Sequence, residues 1–207
     1  MEKSLKKLYL ENPCGTLSIP FWKNKITKIP DDIIIIHHKD FKNQYNDYQM
    51  FFRLSHNLSK INKSLIKVDI INLNDDKLKL VNMINICYKE QRISIDESDI
   101  LSWINHPSYN PKLWVKIEVD GLLVASGIAE FDEECKEGIL EWIQVLPEFR
   151  NKGYGEVIVN SLLLELKKLG ADFATVSGNV ENECNPERLY RKCGFVGDDI
   201  WYICKIK

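Results

Sequence analysis

The stretch 145–155, VLPEFRNKGYG, constrains the fold of this chain more than any other. An apolar run (Ile139, Leu140, Trp142, Ile143, Val145) leads straight into Arg150-x-x-Gly153-x-Gly155. Residues 154–169 then place Ile158, Leu162, Leu166 and Leu169 on one helical face. A strand, a tight basic turn and a helix start, in that order, build an anion site. The first N–H groups of a helix have no intrahelical partner and carry the positive end of its dipole. Gly153 and Gly155 lack a Cβ, so a bulky anion can approach the backbone, and Arg150 and Lys152 add charge.

The rest of the second half supplies a framework for that turn. Residues 65–73 alternate and read as a strand. Asn74 or Asp75 is placed to cap a helix running to about Glu90, with Leu78, Val81, Ile84 and Tyr88 at helical spacing. A second helix starts near Asp96, carries Ile100, Leu101 and Ile104, and is ended by Pro107 and Pro111. Residues 113–119 and 122–131 form a hairpin about Asp120-Gly121, a strong turn signal. Residues 138–145 are a further strand after an acidic loop. Gly170 stops the helix after the basic turn, with Lys167 and Lys168 at its negative end. Residues 173–177 are a strand, Asn185-Pro186 starts a helix that closes at Gly194, and residues 195–206 give one or two strands. The order β-α-α-β-β-β-α-β-α-β is an α/β (α+β) arrangement, a mixed sheet with helices on both faces. It is not the alternating order of dinucleotide-binding folds. Residues 1–64 have a different texture: Pro13, Pro20 and Pro30 break them up, residues 33–36 are β-like, and the polar-aromatic segment 45–61 reads as helical. The expected division is an N-terminal extension over 1–64, packed on a domain over 65–207.

Composition narrows the function classes. A net charge of -2 gives no nucleic-acid signal. The early lysines (Lys3, Lys6, Lys7, Lys23, Lys25, Lys28) are interrupted by prolines and apolar residues and read as a solvated surface. No apolar run nears the roughly 20 residues needed to span a bilayer, and the N-terminus has no signal-peptide h-region. The six cysteines show no C-x-x-C spacing, which suits a reducing, cytoplasmic setting. His37 and His38, neighbours on a strand, are expected on opposite faces, with His56 and His106 remote, so no metal is expected.

About 30 residues beyond the glycine turn lies a second motif, Leu189-Tyr190-Arg191-Lys192-Cys193-Gly194-Phe195. Together with Val145-x-Pro147-x-x-Arg150-x-x-Gly153-x-Gly155 it resembles the GCN5-related N-acetyltransferase (GNAT) superfamily. The likeness covers residues 65–207. It implies a mostly antiparallel sheet with a splayed central strand pair, acetyl-CoA as co-substrate, and a small-molecule or peptide amine as acceptor, in a monomer or homodimer. The implied pyrophosphate donors are the backbone N–H groups of Arg150, Asn151, Lys152, Gly153, Tyr154 and Gly155. The implied pantetheine edge is Ile143 and Val145, as in β-augmentation. The family's tyrosine beside the thioester matches Tyr190, whose other reading is a packed aromatic. The family often has an asparagine about seven residues earlier; here Glu183 stands there, and Asn182 is the nearest candidate for that contact, since Asn185 is engaged as a cap.

The implied reaction is direct attack by the amine. A lysine-like amine titrates near 10.4, so making it neutral at pH 7 costs roughly 4–5 kcal/mol, which a base must offset. Glu141 is the first candidate base, read from strand parity as facing the same way as Ile143 and Val145, and Glu130 is the second. A phenol can protonate the leaving thiolate, which gives Tyr190 its role. Cys193, beside Lys192 at a helix end, does not read as a nucleophile. Trp103, His106 and the N-terminal segment are where acceptor specificity is expected. The alternative is a non-catalytic acyl-CoA-binding or regulatory module on the same fold.

Overall fold

A computed structural model describes residues 2–18, 21–22 and 29–206, with side chains from residue 5 onward. Lys23, Lys25 and Lys28 of the basic N-terminal segment, and the Lys3 side chain, lie outside that description. The chain forms two compact units that interleave along the sequence: residues 1–56, 175–191 and 195–207 make one, and 57–174 with 192–194 make the other.

The first unit contains α1 (Glu2–Glu11), β1 (Ile33–His37), β2 (Tyr48–His56), most of β7 (Phe173–Asn179), α5 (Pro186–Lys192) and β8 (Val196–Lys205). Its strands run in the order β1-β8-β2-β7. β8 is antiparallel to both neighbours, with Ile33 opposite Lys205 on one side and Tyr48 opposite Cys204 on the other. The expected helix over 45–61 is therefore a strand. Its polar-aromatic mixture carries no strong periodicity, and pairing with β8 decides its conformation, burying Phe52, Leu54 and His56.

Arg53 ties the N-terminal segment to this sheet. Its side chain is buried and donates to the Pro13 carbonyl at 3.0 Å, the Ser177 hydroxyl at 3.3 Å, and the Tyr9 and Thr175 hydroxyls at 3.4 Å each. Tyr9 stacks on Phe21 with ring centroids 4.2 Å apart and accepts from the Trp22 indole at 2.9 Å. The Trp201 indole donates to the Cys14 carbonyl at 3.1 Å. A chain begun at Ser64 loses β1 and β2 and leaves β8 with two exposed edges, which are templates for intermolecular pairing. Light scattering is expected to show that truncated chain aggregated; a monodisperse, folded product would show that the first unit does not need these strands.

The second unit contains β3 (Asp69–Ile70), α2 (Leu73–Cys87), α3 (Glu97–Ile104), β4 (Trp114–Val119), β5 (Leu122–Asp132), β6 (Glu137–Val145) and α4 (Tyr154–Leu169). Its strand order is β6-β5-β4-β3, all antiparallel. The strand expected over 65–73 shrinks to two residues. Leu65, Ile66 and Ile70 are exposed, so the alternation has no buried face to reward it, and Asn72 caps α2 by accepting from the Asn74 N–H. The Asp120-Gly121 turn has both residues at positive φ, 51° and 79°, which suits a two-residue hairpin.

Helices cover both faces of this four-stranded set. On one face, Leu80, Val81 and Ile84 of α2 and Ile100 of α3 pack with Trp114 and Ile128, and Trp142 lies against the cluster. On the other, α4 presses so closely on β5 and β6 that a Cβ added to Gly127 would lie 2.4 Å from Ile158, and one added to Gly138 2.4 Å from Leu166. These two glycines let the helix seat on the sheet. Beneath α2, Asp76 is 1% exposed and accepts from the Asn72 N–H at 2.9 Å. The Lys116 ammonium on β4 meets its two oxygens at 2.9 and 2.8 Å.

Candidate active site

The anion turn is built by β6 running into α4. After Val145, residues Pro147–Phe149 make a short 3-10 turn, and Asn151 and Gly153 adopt φ of 61° and 85°. Gly153 is the N-cap of α4 and supplies no side-chain cap. The first helical bond runs from the Val157 N–H to the Gly153 carbonyl at 3.1 Å. The N–H groups of Tyr154, Gly155 and Glu156 thus precede the intrahelical ladder. A Cβ at Gly153 would meet no atom within 4 Å, so its positive φ and the open space above the turn, not crowding by neighbours, account for the glycine.

One member of the expected donor set is occupied. The Arg150 N–H is spent on the Pro147 carbonyl at 3.2 Å, and its Nε donates to the Val145 carbonyl at 3.3 Å. Arg150 therefore contributes charge at this turn, and the Glu156 N–H joins the open donors, a member the sequence reading missed. Lys152 lies over the Phe149 ring at 4.8 Å, a cation–π contact that keeps its ammonium near the turn.

The edge residues Ile143 and Val145 also have company. The Tyr88 hydroxyl donates to the Ile143 carbonyl and the Cys87 thiol to the Val145 carbonyl, each at 3.4 Å. Both donors come from the end of α2, which the sequence reading had not linked to this strand. Between them the Gln144 amide donates to the buried Ser126 hydroxyl at 2.6 Å, while its own carbonyl oxygen is buried without a hydrogen-bond partner.

The expectation that Glu141 shares a face with Ile143 and Val145 is overturned. The β5–β6 register shifts so that Ile128 opposes Trp142 while Ala129 opposes Leu140, leaving Glu141 as the extra residue of a β-bulge. The bulge turns Glu141 to the face that carries Trp142, whereas Ile143 lies with Gly127 towards α4. As a result both candidate carboxylates, Glu130 and Glu141, line a single cavity of about 100 Å³. Trp103, expected to shape acceptor choice, lines it as well, and His106 Nδ1 lies 3.8 Å from a Glu130 oxygen. Tyr109, Trp114 and Trp142 complete the walls and were not foreseen. A spacing rule cannot see them, because they come from a loop, a strand start and a bulge.

In the first unit, Tyr190 is 5% exposed and packs against Phe52 and Phe195 at centroid distances of 6.1 and 5.7 Å. Asn185 accepts from the Arg188 N–H at 3.2 Å, the expected cap, and Asn182 accepts from the Cys184 N–H at 2.9 Å. Burial, with the nearby Glu156 charge, pushes the Cys193 thiol up to about 12 against the weaker pull of Lys192, so it is a protonated packing group at neutral pH. His37 and His38 are not on opposite faces: their rings are 4.2 Å apart, because His38 follows the last residue of β1 and escapes the strand's alternation. His37 Nδ1 accepts from the Lys39 N–H at 3.3 Å, its Nε2 lies 2.8 Å from Asp199, and His38 Nδ1 accepts from the Ile200 N–H at 3.2 Å. His37, His38 and Asp199 thus bring potential ligand atoms within 4.8 Å of one another.

The second unit's antiparallel strands, flanked on both faces by helices and feeding a glycine turn into α4, define an α/β domain with an open helix N-terminus. Residues 110–197 match the Acetyltransferase (GNAT) domain family. Among solved structures, a GCN5-related N-acetyltransferase from Sphaerobacter thermophilus superposes with TM-score 0.65 at 15% identity, covering 77% of this chain and 51% of that one. The chain thus spans about half the length of that relative. A GNAT-family acetyltransferase from Colwellia psychrerythraea gives TM-score 0.65 at 13% identity over 98% of this chain and 72% of that one. The ribosomal-protein-S18-alanine N-acetyltransferase of Escherichia coli gives 0.54 at 17% identity, over 68% and 94%. At these identities the likeness is one of fold. Comparison with curated proteins returned no match. Among the described residues no helix is long and apolar enough to cross a membrane.

Proposed function

We propose that the protein is an acetyl-CoA-dependent N-acetyltransferase that moves an acetyl group to a primary amine by direct attack. The observation that carries this reading is the open N-terminus of α4, where Gly153 caps the helix in a left-handed conformation and leaves the N–H groups of Tyr154, Gly155 and Glu156 ahead of the ladder. Acetyl-CoA supplies the activated thioester. This chain's residues do the rest. The turn, with Arg150 and Lys152, holds the pyrophosphate; Ile143 and Val145 offer strand-edge groups to the pantetheine amides, and Asn182 adds a further polar contact. Glu141, with Glu130 beside it, takes the proton from the acceptor amine, and Tyr190 gives one to the leaving sulfur. The six cysteines form no disulfide, which agrees with a cytoplasmic setting.

Calorimetry with CoA is the first test: saturable heat is expected, and no heat at millimolar CoA would refute the reading. Gly153→Val is expected to weaken CoA binding at least tenfold. Gly170→Val, at the other end of α4 and also left-handed with φ of 92°, carries comparable backbone strain and is expected to leave CoA affinity unchanged. Equal losses in both variants would mean that strain, not the anion site, is what was measured. Thiol release from acetyl-CoA across an amine panel separates an enzyme from a CoA-binding module.

A further inference from the structure

We infer that the cavity beside the β6 bulge is a cation site that receives an alkylammonium group, so that the acceptor is a small aliphatic amine bound through its positive charge. Calling the occupant an acceptor rests on the acetyltransferase reading; the binding chemistry does not. The walls are aromatic and set at several angles. Trp103 stacks on Trp142 at 5.0 Å with 25° between planes, Trp103 and Trp114 are tilted by 60° at 6.3 Å, and Tyr109 meets Trp114 edge-on at 5.5 Å. Into the same space come Glu130 from β5 and Glu141 from β6. Aromatic faces carry negative quadrupole charge, and carboxylates add full negative charge. The two together disfavour anions. A cation meets both at once, through cation–π contacts and charge-assisted hydrogen bonds.

Size sets the second limit. The cavity volume of about 100 Å³ exceeds what a single water needs. It admits the ammonium end of an amine, with the remainder of a larger molecule outside. Among the described residues, His106 lies beside Glu130, with Nδ1 3.8 Å from a carboxylate oxygen.

The three cavity tryptophans give a direct readout with the full chain and without CoA. Titration with butylammonium chloride at pH 7.5 and fixed ionic strength is expected to change tryptophan fluorescence saturably, with 1-butanol and butyrate binding at least tenfold more weakly. Glu130→Gln and Glu141→Gln, checked for folding by circular dichroism, are each expected to weaken butylammonium at least fivefold, and Trp103→Phe to diminish the signal. Butanol binding as well as the cation, or no saturable response to the cation, overturns the inference. Either result can stand beside normal CoA heats and thiol release with other amines, in which case acetyl transfer survives and the cation site does not. Saturable cation binding without any thiol release would leave the site and remove the acetyltransferase reading.

Discussion

Tyr190→Phe is expected to lower kcat by about 10²-fold or more while leaving KM for acetyl-CoA within about twofold, the range typical of losing a positioned acid. The substitution is a clean one because of how Tyr190 sits. Its ring contacts Phe52 and Phe195, and a phenylalanine keeps both contacts. Only the hydroxyl is lost, so the melting temperature is expected to stay within a few degrees. If kcat is unchanged, Tyr190 is a packing residue and the leaving thiolate takes its proton elsewhere. If kcat and stability fall together, the hydroxyl supports the fold, and the assignment as an acid fails.

The second large effect is structural. Asp76→Ala is expected to cost about 3 kcal/mol of unfolding free energy, because it takes the nearer carboxylate from the Lys116 ammonium, whose side chain is 12% exposed, and leaves it with Glu118 at 3.1 Å. At this chain length that corresponds to a fall of about 10 °C in Tm. Burial pushes the Asp76 carboxyl up, but the Lys116 hydrogen bond, the Asn72 N–H and the Lys116 and Lys79 charges outweigh it and hold it below 3.8. Burial likewise pulls the Lys116 ammonium down, and its bonds to Asp76 and Glu118 raise it above 10.5. The signs follow. The Asp76 contribution is present above its unfolded value near 4 and is lost as pH falls through the lower folded value. The Lys116 contribution is present below its unfolded value near 10.4 and is lost as pH rises through the higher folded value. Urea unfolding between pH 3 and 7 is expected to show the acid loss in the native chain and a flatter profile in Asp76→Ala. Replacing both partners, Asp76→Leu with Lys116→Met, is expected to recover part of the loss. A cost below about 1 kcal/mol for Asp76→Ala would mean that water reaches Lys116 after the carboxylate is gone.

Much of the chain beyond residue 64 can be read from local chemistry. Asp120-Gly121, Asp96 before α3, Gly153 and Gly170 around α4, and Asn185-Pro186 before α5 each fix a boundary by backbone conformation or capping, and those choices are made within a few residues. What local chemistry does not contain is pairing. β2 becomes a strand because β8 lies beside it, and the run 65–73 fails as a strand because its outward residues meet solvent. The bulge at Glu141 is a property of two strands in register, and no parity count along β6 alone can reveal it. The site divides in the same way. The glycine turn was legible because its donors are consecutive, whereas the aromatic cavity draws on α3, the loop after it, and three strands.

β8 also sets an order of events during synthesis. It begins at Val196 and is the strand to which both β1 and β2 are zipped. About 140 residues separate β2 from its partner, so closing that pair requires a long, entropically costly loop. The bulk of the second unit is continuous from residue 57 to 174 and is made before β8. On the ribosome the N-terminal segment therefore waits, with the apolar residues of β1 and β2 uncovered, until almost the whole chain has emerged. Such a non-local closure is slow and exposed to aggregation, which makes this segment the place where chaperone dependence and misfolding are expected to concentrate.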